Sequence, residues 1–64
     1  MYQFKVRAFI RGKGFLDSPI YLCGVPQRHT QIEIDGEQYF VIQVLWREDN
    51  YVYKPETLFL STEA

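Results

Sequence analysis

The stretch YFVIQVLWR, residues Tyr39–Arg47, decides what this chain can be. On an extended backbone Phe40, Ile42, Val44 and Trp46 fall on one face and Tyr39, Val41, Gln43 and Leu45 on the other. Successive side chains of a strand point to opposite sides, so a half-buried strand should be apolar on one face only. Here both faces are largely apolar. Three arrangements resolve the conflict: the strand is covered on both sides, a bulge swaps its faces part-way along, or its second face packs on another subunit. The sequence leaves all three open.

The flanks on both sides read as further strands. Just upstream, IEIDG alternates, with Ile32 and Ile34 inward and Glu33 and Asp35 outward, and Asp35-Gly36 is a strong hairpin signal. Downstream, Glu48-Asp49-Asn50 predicts a turn, YVYK (Tyr51–Lys54) a short fifth strand, Pro55-Glu56 an interruption and TLFLS (Thr57–Ser61) a sixth. At the start of the chain the alternation is strict from Tyr2 to Arg11: Tyr2, Phe4, Val6, Ala8 and Ile10 share one face, and Gln3, Lys5, Arg7, Phe9 and Arg11 the other. Gly12-Lys13-Gly14 follows as a turn, because glycine accepts the positive φ of tight hairpins. Pro19 argues against a central strand around it, and IYLC (Ile20–Cys23) predicts a short second strand. No stretch holds a helical period. The expected fold is all-β: a small antiparallel meander of five to six strands, residues 1–64 as a single domain, rolled into a partly open barrel of Src-homology type.

The segment VPQRHTQIEIDGEQYFVIQVLW resembles a pattern in small β-barrel proteins of phages and mobile elements. In that pattern a Val-Pro loop precedes an alternating strand, a Gly hairpin and Tyr-x-Val-x-x-Val-x-Trp, matched here by Tyr39, Val41, Val44 and Trp46. His29-Thr30 stands where the family has Gly-Asp. The resemblance covers about a third of the chain and implies a small barrel, often without an assigned activity. It carries no functional residue to this sequence.

With 64 residues the chain buries only roughly 60% of the surface its unfolded form exposes, so a domain of this size usually needs a staple. A lone cysteine, Cys23, excludes an internal disulfide, and with the single His29 it falls short of a zinc site. Self-association is the remaining staple, and a homodimer is one expectation. The hydrophobic fraction of 47% and aromatic fraction of 17% favour a packed core over disorder. The first residues alternate charge with apolar groups, unlike a signal peptide, and the run Tyr39–Trp46 is too short to span a bilayer. The unpartnered cysteine suits a reducing compartment. The expectation is a cytoplasmic chain with no membrane partner.

Charge is segregated within a net of −1. Lys5, Arg7, Arg11 and Lys13 come before any acid, and all eight acidic residues follow Gly14. Lys5, Arg7 and Arg11 flank Phe9 on one face, with Lys13 at the turn. Charge for phosphates beside an aromatic for bases is what single-stranded nucleic acid needs. The competing reading is a solvated face whose cations pair across the sheet with Glu33 or Asp35. RGKG is not a phosphate loop, lacking both the spacing and the Ser or Thr after lysine. Cys23 and His29 form a nucleophile–base dyad only if they meet, and a chain this size has little room for an oxyanion site. The acids show no acid/base pairing, and Asp35 with Glu37 supplies too few oxygens for a divalent cation. No enzyme, metal or cofactor is expected.

The aromatics of the second half are the stronger lead. Tyr39, Trp46, Tyr51 and Tyr53, with Arg47 among them, are the residue types that anchor protein interfaces. Core filling competes for the same rings. The sequence therefore reads as a non-enzymatic module acting by stoichiometric protein binding, an adaptor or inhibitor of a host factor. A nucleic-acid-binding barrel using Lys5, Arg7, Phe9, Arg11 and Lys13 is the alternative. Sequestration of a small anionic ligand in a dimer groove is a third.

Overall fold

The computed structural model describes residues 3–63. Its regular elements are strands: β1 (Phe4–Ile10), β2 (Gly14–Phe15), β3 (Ile20–Leu22), β4 (Gln31–Ile34), β5 (Glu37–Asp49) and β6 (Val52–Ser61). They form one sheet in the order β2-β1-β6-β5-β4, with β3 also on β1. β2 and β3 lie on successive halves of one edge, Phe15 opposite Phe9 and Tyr21 opposite Lys5. They amount to a single edge strand, broken around Pro19, which has no N–H for a ladder. The sheet curls into an open half-barrel, so the all-β, partly open barrel expected from the alternation is what forms.

One pairing departs from a purely antiparallel meander. β1 runs parallel to β6, with Arg7 to Ile10 beside Thr57 to Leu60. A parallel pair needs a long connection, and here residues 11–51 lie between the two strands. β6 thereby becomes a central strand, and its Leu58 and Leu60 are completely buried.

The two-faced stretch is resolved by a bulge. The β5–β6 register shifts between Val41 and Gln43, leaving Ile42 as an extra residue on β5. Before it Tyr39 and Val41 point inward and are buried; after it Val44 packs against the core instead. An inserted residue inverts the alternation, which is why neither face of the sequence pattern reads as polar. A second shift between Leu45 and Trp46 leaves Glu56 extra on β6, restoring the register. The predicted fifth and sixth strands are therefore one strand. Pro55 is accommodated because it sits beside this bulge, where β1 no longer flanks β6.

The core is Val6, Ala8, Ile10, Tyr39, Val41, Leu58 and Leu60, with Phe4, Leu16, Ile20, Leu22, Ile32, Ile34 and Val44 packed around it. The inward face of β1 is thus the one the alternation assigned; Tyr2, placed on it by the same pattern, lies outside the described residues. Two hairpins have two-residue loops with positive φ at both positions: Asp35-Gly36 (51° and 84°) and Asn50-Tyr51 (51° and 65°). The first is where Asp-Gly predicts it. The second falls one residue later than Glu48-Asp49-Asn50, at a pair whose second member is not glycine.

Candidate binding surfaces

β1 ends in the turn that carries Lys13, with Gly12 and Gly14 at φ 86° and 91° and the Lys13 amide bonded to the Ile10 carbonyl at 2.9 Å. This turn swings Lys13 across the open side of the half-barrel. Its ammonium sits 3.3 Å from Glu37 Oε2, the oxygen that also accepts the Tyr39 hydroxyl at 3.0 Å, and lies 5.9 Å from the Tyr39 ring centroid. The three groups latch the β1–β2 turn to the start of β5. Hydrogen bonds from Tyr39 and then Lys13 hold the Glu37 carboxyl below its ordinary range. The hydrogen bond to Glu37, with its charge, raises Lys13. Desolvation, followed by the bond to Glu37, raises Tyr39. Lys13 therefore belongs to the latch and is drawn away from the other N-terminal cations. Tyr39, only 5% exposed, is part of the core and of this latch, not of an outer surface.

The remaining aromatic candidates do gather. Beyond Leu45 and Thr57 neither β1 nor β4 flanks the β5–β6 hairpin, which continues as a two-stranded arm from Trp46/Pro55 to Asp49/Val52. Paired residues share a face, so Trp46 and Tyr53 lie with Pro55 on the side that continues the core. They are 48% and 65% exposed because no strand lies beneath them. Leu45, Arg47, Val52 and Lys54 take the opposite side. There Arg47 pairs with Glu56 and Lys54 with Asp49, each at 3.6 Å. Tyr51 stands at the tip, 93% exposed.

A second surface covers the outer face of β1 and its neighbours. Phe9 is flanked by Phe15 of β2, ring centroids 4.9 Å apart, and by Phe59 of β6 at 5.7 Å. The Arg7 guanidinium lies 4.0 Å over the Phe15 ring. Lys5 and Arg11 extend from the same outer face. Neither Glu33 nor Asp35 reaches these cations, since β4 is at the far side of the sheet from β1. Sequence reasoning placed Lys5, Arg7, Phe9 and Arg11 on this face but missed Phe15 and Phe59. The isolation of Phe59 between the inward Leu58 and Leu60 was the available signal.

Cys23 is exposed and lies just past β3, which ends one residue short of the predicted strand. Among the described residues no group of three or more His, Cys, Asp or Glu side chains gathers as a metal site. No helix there is long and apolar enough to cross a membrane. No family model matches this chain, and no curated protein or solved structure matches it.

Proposed function

We propose that this chain is a small non-catalytic binding module that works by stoichiometric protein binding, with the β5–β6 arm as its contact element. The observation that carries the reading is Tyr51. It occupies a left-handed position at φ 65°, in a turn whose second residue is ordinarily glycine, and it is 93% exposed. A bulky side chain there costs about 1 kcal/mol of backbone strain and gains no packing in return. Strain of this kind persists where it serves a site.

The neighbours support the same reading. Trp46 and Tyr53 present large rings on an arm that needs no ring for its own ladder, and Arg47 lies on its opposite face in an ion pair with Glu56. Trp, Tyr and Arg supply most hot-spot energy when a partner desolvates them. Bound to one protein in one-to-one ratio, such an arm makes an adaptor or an inhibitor. A photo-crosslinking residue at Tyr51 tests this. The expected result is one covalent product with one protein, lost in Trp46→Ala and Tyr53→Ala variants that melt like the parent. Crosslinks that survive both changes would contradict the arm as the contact. A product joining two copies of this chain would assign the arm to self-association.

A further inference from the structure

We infer that the outer face of β1 is a second site, independent of the arm, and that its ligand is single-stranded nucleic acid. The observation is a juxtaposition of a row of phenyl rings, edge-to-face and tilted to one another, with cations outside the ion pairs of the described residues. Phe15, Phe9 and Phe59, on three adjacent strands, form one continuous row across the sheet. They point away from the core, which the other faces of β1 and β6 fill. An open groove of about 240 Å³ runs beside Phe9 and Phe59 and is bordered by Arg11 and Gln43.

The cations decide the occupant. The ion pairs formed among the described residues use Lys13, Arg47 and Lys54. Lys5, Arg7, Arg11 and Arg28 form none. Arg7 and Arg11 bracket Phe9 along β1, four residues and so about 13 Å apart. Arg28 and His29 border a further groove with Arg11, beside β5. The turn holding them is fixed by the His29 amide donating to the Val41 carbonyl at 2.8 Å. Carboxylates lie near these cations, Asp17 beside Lys5 and Arg7, Glu63 beside Arg11 and Arg28, and Glu48, Asp49 and Glu56 of the arm around Lys5, and none forms an ion pair with them. The stretch from Arg7 through Arg11 to Arg28 is thus more positive than the net charge of −1, because only Asp17 and Glu63 border it, whereas Lys5 stands among the acids of the arm.

An apolar partner surface would leave these guanidinium groups desolvated and unpaired. A polyanion with flat faces satisfies both features at once: phosphates take the cations and bases stack on the phenyl rings. Arg7, already seated on Phe15, keeps its N–H donors at the ring edge free for a phosphate. A duplex hides its base faces, so the rings select a single strand.

Fluorescence anisotropy with a labelled oligothymidine and a duplex of equal length tests the inference on the full chain. If three phosphates are neutralised, affinity for the single strand should fall about twentyfold between about 50 and 200 mM salt. Arg7→Gln with Arg11→Gln should weaken low-salt binding at least tenfold and cut the salt slope to about a third. Phe15→Ser, at a ring already 47% exposed, should cost about fivefold or more with the slope unchanged. Phe59→Ser should do the same if its melting curve is retained. Lys13→Gln and Tyr53→Ala should leave binding intact, which separates this site from the latch and the arm. No binding at the lower salt would overturn the proposal. So would equal affinity for the duplex with no effect of Phe15→Ser. Self-association that is lost in Phe15→Ser would assign the face to a second copy instead.

Discussion

The β5–β6 hairpin is one ladder with two fates. From Phe40/Ser61 to Val44/Leu58 it is flanked by β1 along Thr57–Leu60 and by β4 as far as Phe40; Val41, Leu58 and Leu60 are buried there and Val44 half-buried. From Trp46/Pro55 to Asp49/Val52 the same two strands run on, one register step shifted, and every paired residue but Pro55 lies open to solvent. Composition alone does not account for the exposed rings: the arm is the more charged half, with Arg47, Glu48, Asp49 and Lys54, yet Trp46, Val52 and Tyr53 also lie open to solvent. The neighbours do. A lone two-stranded ribbon is marginal in water, and a third strand is what turns an apolar face into a core. The lower half holds the domain together; the upper half spends apolar surface on contact with something else.

The most severe way to break this contrast is to delete Ile42. Removing the bulge inverts the inward set on one side of it, so either Tyr39 and Val41 or Val44 must face water. Loss of a cooperative unfolding transition in denaturant is the expected outcome. Next comes Leu58→Ala, which empties a fully buried position in the central strand. It should cost about 2–5 kcal/mol, comparable to the whole stability of a domain this small, measured as a shift of the denaturant midpoint. In the arm the sign reverses: Tyr51→Gly should stabilise by about 1 kcal/mol, read from the melting temperature, while abolishing capture of the partner.

The latch gives a smaller effect that pH separates from both. Glu37 has its acid range lowered by Tyr39 and Lys13. Its contribution is therefore complete above the ordinary carboxylate pKa and disappears as pH falls through the lowered folded value. Lys13 and Tyr39 are both raised, so their contributions are present below their ordinary values and disappear as pH rises through the folded ones. Glu37→Gln should remove the acid limb from a plot of midpoint against pH and leave the effect of Leu58→Ala unchanged. The smallest effect belongs to Tyr53→Ala, within about 0.5 kcal/mol in the free protein.

Much of this was legible in the residues. The strict alternation from Phe4 to Ile10 placed the inward face of β1, and Asp35-Gly36 located its hairpin. The sequence also stated the problem of Tyr39–Trp46, and a bulge was among its solutions. Choosing between them required knowing which strands flank β5, which is long-range information absent from local pattern. Pro55 was read as a break because a proline inside a strand normally is one. The bulge at Glu56 and the missing β1 neighbour made it tolerable. The parallel pairing of β1 with β6 left no local trace either. Of the aromatic candidates, Trp46, Arg47, Tyr51 and Tyr53 share the arm, whereas Tyr39 went to the core because the bulge lies after it. Lys13 separated from Lys5, Arg7 and Arg11 because its turn leads across the open side to Glu37.

Native-state amide hydrogen exchange, resolved by residue along β5 and β6, tests the contrast most directly. If the arm is a ribbon held only by its own ladder, amides between Arg47 and Lys54 exchange by local opening. Those of Val41 and Leu58–Leu60 should then be slower by about two orders of magnitude or more, limited by global unfolding. Uniform protection along the whole hairpin would contradict the account: the arm would then be part of the core, and its exposed rings would have no claim to a partner.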